Sequence, residues 1–302
     1  MRVKLFSETY GVAKAAVRIA LNSRSTSLNS ELLGTTLTGE PVPIIRQDGW
    51  AYAAATNDRR PEYNTPDGIA PPLFAVKVLA GPMGRLLLHP DLGMNFLRML
   101  HGEQAFTFHE PLRYQQTVVA EATITGFREV NTGEILDMGL ELRGQQGERL
   151  VTGTSSFFVP RGTGSSAGRS KGPPGAAPFP EDAPGRFSRS LETDPTQPTR
   201  YAAASGDRNP IHTNAIIARL AGLPRPIMHG LCMMAMAGRE VLGARDAAPT
   251  SLKQLSLRFT RTAFPGARYV IHGADAADGG LDFIVLDGKD RPVLSRGYAR
   301  FS

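Results

Sequence analysis

The chain has 302 residues, 41% of them apolar, enough for two ordinary domains or one large one around a sizeable core. No stretch approaches the ~20 apolar residues that a membrane-crossing helix needs, and the single cysteine, Cys232, excludes an internal disulfide and suits a reducing compartment. The formal charge of +6 invites a nucleic-acid partner, but the excess sits in residues 1–30 and 160–180, and the near-neutral remainder shows no basic run interleaved with aromatics.

Residues 1–30 form an N-terminal extension carrying Arg2, Lys4, Lys14, Arg18 and Arg24 against Glu8. Val12–Leu21 within it fits an amphipathic helix. The composition suits an ordinary N-terminal helix, hence a cytoplasmic location, with a mitochondrial transit segment as the alternative. At the other end, Arg300-Phe301-Ser302 is not a Ser-Lys-Leu peroxisomal address. Glu31–Ile45, with Gly34, Gly39, Pro41 and Pro43, is turn-rich and has room for one short strand. Trp50–Thr56 is helical in composition. Pro71–Ala80 predicts an apolar helix that Gly81 and Pro82 interrupt. Strands follow over Gln104–His109, Val118–Phe127, Ile135–Leu142 and Leu150–Val159, divided by turns at Asn131–Gly133 and Gln146–Gly147. Residues 160–185 hold six prolines and six glycines and carry Arg161, Arg169 and Lys171, which is the composition of a flexible linker.

The second half repeats this order. A strand is expected over Phe187–Glu192, and Tyr201–Ala204 starts a short helix that Gly206 ends. Asn209 reads as an N-cap and Pro210 as the first residue of a helix continuing to Gly222. Ile227–Leu242 predicts a long apolar helix, which makes Cys232 a core residue. Further strands are expected over Leu252–Phe259, Arg268–Ala274, Leu281–Leu286 and Val293–Phe301, with turns at Asp278–Gly280 and Asp287–Gly288. The halves match in sequence as well as in order: Tyr52–Asp58 (YAAATND) stands against Tyr201–Asp207 (YAAASGD), and Phe106–Phe108 against Leu257–Phe259. A tandem duplication is the natural reading, each unit a central helix followed by antiparallel strands.

Chemistry concentrates in Tyr201–His212 (YAAASGDRNPIH). Asp207 lies on the turn and His212 in the first turn of the following helix, so both side chains can face one space. A carboxylate and an imidazole sharing a water suffice for general acid–base work near neutral pH. The other histidines, His89, His101, His109, His229 and His272, show no metal-ligand spacing, so no metal site is expected.

This run resembles the signature of the MaoC-like, or (R)-specific, enoyl-CoA hydratases, also called hydratase 2, and the segment Leu223–Leu231 (LPRPIMHGL) resembles a second element of that family. The resemblance spans roughly residues 31–302. It implies an α+β double hot dog: an N-terminal unit over 31–159, the linker, and a catalytic C-terminal unit over 186–302. It further implies that Asp207 and His212 hold the water and move protons, and that the Gly230 backbone N–H meets the thioester carbonyl. Asn209, Ile211, Met228 and His229 are then expected at the substrate, although packing is the commoner role for a residue like His229. Met228, Met233, Met234 and Met236 would line an acyl tunnel or simply fill the core. The first unit departs from the signature: it keeps Asp58, but Asn57 replaces the glycine, Arg60 the asparagine and Tyr63 the histidine, and Ala75-Val76 stand where His229-Gly230 stand in the second. Such a degenerate unit is expected to form the other wall of the site and to accommodate the acyl chain.

The activity implied is reversible syn hydration of a trans-2-enoyl thioester to its (3R)-3-hydroxyacyl form. Acyl-CoA or acyl carrier protein would be the substrate's carrier, with no separate cofactor, no nucleic-acid partner and scope for a homodimer. A hot dog thioesterase and a non-catalytic acyl-thioester binder are the alternatives. An intact Asp207/His212 pair disfavours the binder, which needs neither proton-transfer group.

Overall fold

The computed structural model describes residues 27–94, 99–161 and 178–302. The amphipathic stretch Val12–Leu21 and most of the 160–185 linker lie outside the described residues. Among the described residues eleven strands form one antiparallel sheet, and the elements fall into two similar halves. In the first half, short strands β1 (Thr36–Thr38) and β2 (Val42–Pro43) precede helix α1 (Arg46–Ala55) and helix α2 (Ala75–Leu87). Strands β3 (Leu100–Phe108), β4 (Thr117–Val130), β5 (Gly133–Gly144) and β6 (Arg149–Pro160) then form the first half of the sheet. In the second half, β7 (Phe187–Glu192) leads to α3 (Gln197–Ser205), α4 (Ala215–Leu220) and α5 (Gly230–Ala244). Strands β8 (Leu252–Phe259), β9 (Arg268–Asp275), β10 (Leu281–Leu286) and β11 (Pro292–Phe301) complete it.

The strand order is β1-β4-β5-β6-β3-β8-β11-β10-β9-β7, with β2 paired to β4. The halves therefore meet at β3 and β8, which pair antiparallel about Ala105 and Ser256. Each half wraps its sheet round one apolar helix, α2 or α5, as the double hot dog expectation requires. Ten α5 residues are buried, among them Cys232, Met233, Met234, Met236, Val241 and Leu242, and each large apolar side chain so placed contributes about 1.5–3 kcal/mol. The duplication is visible in one contact: Tyr52 on α1 and Tyr201 on α3 meet hydroxyl to hydroxyl at 3.3 Å, both fully enclosed. No helix among the described residues is long and apolar enough to cross a membrane.

Three helix boundaries differ from expectation. Helix α2 runs straight through Gly81 and Pro82 to Leu87. Pro82 removes one helical hydrogen bond, but burial of Val76, Leu79, Pro82, Leu86 and Leu87 holds the helix by packing. The helix expected over 209–222 is split. Asn209 caps only a single 3₁₀ turn, Pro210–His212, and Asn214 caps α4 afresh through bonds from the Ile216 and Ile217 N–H groups. The helix expected from Ile227 starts at Gly230. Tertiary bonds occupy the intervening backbone: Ile227 N–H donates to Ile211 O at 3.4 Å and Met228 N–H to Ala263 O at 2.9 Å. The turn-rich segment 31–45 yields two short strands, β1 and β2, rather than one.

Candidate active site

The late start of α5 and the broken helix before it build the site. Gly206, at φ 84°, closes α3 in the left-handed conformation and turns the chain toward Asp207. The Asp207 N–H donates to Ser205 Oγ at 3.2 Å, and Asp207 Oδ1 accepts from the Asn209 N–H at 3.1 Å. Asn209 Oδ1 accepts from the Ile211 N–H at 3.3 Å, which tightens the 3₁₀ turn that carries His212. His212 Nδ1 lies 3.0 Å from the Ile227 carbonyl oxygen. A carbonyl only accepts, so Nδ1 carries the proton and Nε2 keeps its lone pair. Burial holds the imidazole below the ordinary histidine range, against the opposing pull of Asp207. His212 therefore presents a neutral, basic nitrogen beside a carboxylate.

His229 stacks on His212 with ring centroids 3.7 Å apart, and its Nε2–H donates to the Asp207 carbonyl oxygen at 3.1 Å. Tyr201 also packs against it, ring centroids 4.9 Å apart and tilted by 51°. Burial, then the neighbouring His212, push His229 down to about 4. It is not among the cavity-lining residues. It braces the Asp207 turn and the His212 ring from behind, the packing role that the sequence reading also allowed for it.

Among the described residues, Asp207, His212 and His229 form one group whose ligand-capable atoms lie within 4.8 Å of one another. This corrects the expectation that the histidines make no such cluster; the linear spacing of His212 and His229 hides it. Their rings are nearly parallel, 25° apart. One nitrogen of each ring is taken by a carbonyl, His212 Nδ1 by Ile227 and His229 Nε2 by Asp207. What remains at the cavity, a neutral imidazole nitrogen beside a carboxyl group, is the equipment of proton transfer.

The pair opens into a large cavity of about 2070 Å³. Asn209, Ile211, Met228 and Gly230 all line it, whereas of Met233, Met234 and Met236 only Met233 does, and Met234 and Met236 belong to the core. Gly230 opens α5, so its N–H is one of the first-turn donors that no helix carbonyl can take. A Cβ at Gly230 would lie 2.9 Å from the Phe259 ring, so glycine lets the helix start pack closely. The opposite wall comes from the first half, including Val76 and Met83 of α2, His101 of β3 and Phe157 of β6. His101 and the Ile227 carbonyl are the site features that sequence reasoning missed. The carbonyl has no sequence signal; the offset of 151 that relates Phe106 to Leu257 would have placed His101 opposite Leu252.

The pseudo-equivalent position in the first half is closed. The Tyr63 hydroxyl donates to Asp58 Oδ2 at 3.2 Å, and Arg60 Nε lies 3.3 Å from Asp58 Oδ1. Burial pushes the Asp58 carboxyl up, partly offset by Arg60 and the Tyr63 bond. The gap above it measures about 10 Å³, room for no more than a water.

Comparison with known proteins points the same way. Residues 178–274 match the MaoC like domain family, and residues 31–153 match the FAS1-like, dehydratase domain region. The peroxisomal enoyl-CoA hydratase 2 of Arabidopsis thaliana is 30% identical over 206 residues, 65% of this chain and 66% of that protein. The 3-hydroxyacyl-thioester dehydratase Y of Mycobacterium tuberculosis is 34% identical over 175 residues, 56% of this chain and 59% of its own. The chain thus spans about six-tenths of the length of these curated relatives. A MaoC-like dehydratase from Phytophthora capsici superposes with a TM-score of 0.74, covering 91% of this chain and 99% of its own, at 22% identity.

Proposed function

The chain belongs to the MaoC-like dehydratase family, in its double hot dog form with a FAS1-like dehydratase region, and on that premise we propose that it reversibly hydrates trans-2-enoyl thioesters to (3R)-3-hydroxyacyl thioesters. The observation that carries this reading is the His212–Ile227 bond, which leaves a neutral Nε2 beside the Asp207 carboxylate at the wall of an open cavity. A water held between these two groups gives up a proton as its oxygen bonds to C3, and a proton is delivered to C2 from the same side. Charge growing on the thioester oxygen falls to the Gly230 N–H, where the positive end of the α5 dipole adds to the donor. Dehydration is the same path reversed. The acyl chain runs along the cavity wall supplied by the first half. A thioester of coenzyme A or of acyl carrier protein presents the same reacting atoms.

The test is loss of the enoyl-thioester ultraviolet band with crotonyl-CoA and longer homologues, followed by chiral analysis. The expected product is (3R), formed without added metal and unaffected by chelators. An (S) product, release of free thiol, or abolition by chelators would contradict the reading.

A further inference from the structure

The cavity is not uniform from one half to the other. Its first-half wall is mostly apolar, and the one arginine there, Arg128, is held by both carboxylate oxygens of Asp137. On the second-half side, basic side chains far outnumber the two acids, Asp207 and Asp287. Some of these cations are already paired: Arg258 with Glu103, Arg268 with Glu192 and Arg291 with Asp287. Arg208, Arg225 and Lys289 also line the cavity and are exposed, and none of the three has a carboxylate partner among the described residues.

Arg225 is the best ordered of the three. It stands between Pro224 and Pro226, whose rings fix the backbone on either side. Its guanidinium lies over the Phe264 ring at 4.8 Å, and its Nη1 donates to the Pro265 carbonyl oxygen at 3.2 Å. The remaining donors form a planar fork whose plane is already set, the geometry that suits a phosphate. Two residues on, the Ile227 carbonyl holds His212, so one short segment places both the cation and the base. Lys289 sits on the β10–β11 turn, which Asp287 closes by accepting from the Lys289 and Arg291 N–H groups. Tyr269 joins the two. Its hydroxyl is bonded to the Phe264 backbone and lies within electrostatic reach of both Arg225 and Asp287. Arg208 directly follows Asp207.

Cations that share a cavity wall repel one another and focus a positive potential into it, which an anionic ligand relieves. An apolar wall on one side of Asp207 and His212 and a cationic wall on the other fit a ligand with an apolar tail, a reacting centre and an anionic end. We propose that Arg225, together with Lys289 and Arg208, forms a phosphate site at the second-half end of the cavity, which takes the pantetheine-linked phosphate that coenzyme A and an acyl carrier protein have in common. This rests on the function proposed above, which supplies the thioester and leaves all three residues without a role.

The experiment measures kcat and KM of the wild type, Arg225→Ala, Lys289→Ala and Arg113→Ala, the last an exposed arginine outside the cavity. The substrates are crotonyl-CoA, crotonyl-phosphopantetheine and crotonyl-pantetheine, which has no phosphate. Arg225→Ala is expected to lower kcat/KM by about 10- to 100-fold with the first two, the worth of a hydrogen bond to a charged group. The loss should fall mainly on KM, and should be several-fold smaller with crotonyl-pantetheine. Lys289→Ala should act in the same direction, more weakly. Wild-type rates on crotonyl-CoA and on a crotonyl carrier protein tell which source of the phosphate is used. Equal losses on all three substrates, no loss with crotonyl-CoA, or the same loss in Arg113→Ala would overturn the proposal. A loss with crotonyl-CoA alone would assign Arg225 to the nucleotide's own phosphates and overturn it too. A wild type that hydrates none of these substrates defeats the proposed function instead, and calorimetric titration with free coenzyme A then decides for the site. Binding that Arg225→Ala weakens upholds it; equal binding, or none in the wild type, refutes it.

Discussion

A single backbone carbonyl, Ile227 O, fixes the His212 tautomer and leaves Nε2 with its lone pair, the form that the proposed mechanism needs. Asp207 is fixed as closely, its own N–H donating to Ser205 Oγ and its Oδ1 accepting from the Asn209 N–H. If the two act as one proton-transfer unit, His212→Ala should lower turnover by roughly 10²–10⁴-fold, and adding Asp207→Asn should cost little more. Steady-state kinetics of the two single variants and the double variant check this; multiplicative losses would mean independent roles. The buried histidines also predict a pH dependence. His101 and His229 titrate near 4 in the folded state, below their ordinary 6.5, and His212 is shifted the same way. As pH falls, the unfolded chain takes up these protons first. The stability contributed by the neutral rings is therefore full above about 6.5 and is lost progressively down to about 4. Thermal melts between pH 7 and pH 4 should show a falling midpoint, less steep in His101→Leu. Asp207 and His212 were legible as a pair because five residues round a Gly–Asn–Pro turn leave them few other ways to face. The Ile227 carbonyl was not legible, since an acceptor that every residue owns leaves no mark in a sequence.

At the scale of elements, the two helix boundaries that sequence misplaced in the second half are the ones that form the site. Apolar periodicity runs unbroken from Ile227, but the Ile227 and Met228 N–H groups are spent on Ile211 and Ala263, and the helix waits until Gly230. Propensity set the expectation and tertiary hydrogen bonds overrode it, at a functional site as such conflicts commonly are. Gly230→Ala tests the closeness of this junction. A methyl group 2.9 Å from Phe259 should cost about 1–3 kcal/mol by overpacking. It should also lower turnover, because Phe259 would be driven toward the cavity; denaturant melts and kinetics report both. Asn214→Ala removes the two bonds that cap α4. It should cost about 1 kcal/mol and leave kcat within a few-fold, since α4 does not touch the reacting space. A large fall in kcat there would mean that α4 belongs to the catalytic unit.

For the molecule as a whole, the continuous sheet makes the halves interdependent. Strands β3 and β8 pair at the centre, and the cavity takes one wall from each half. The duplication, legible at an offset of 149 residues, is realised in the contact between Tyr52 and Tyr201. The asymmetry was legible in part: Tyr63 in place of a histidine marks the first copy as degenerate. That its phenol and Arg60 seal Asp58 beneath a closed surface follows only from packing. The central claim is that one copy acts while the other lends its wall, and the most direct measurement is turnover of Asp207→Asn beside Asp58→Asn on the same enoyl thioester. The expected result is a loss of roughly 10²–10⁴-fold for Asp207→Asn, and for Asp58→Asn a lower thermal midpoint with turnover nearly kept. Loss of turnover in Asp58→Asn with Asp207→Asn spared, or equal severe loss in two folded variants, would contradict it.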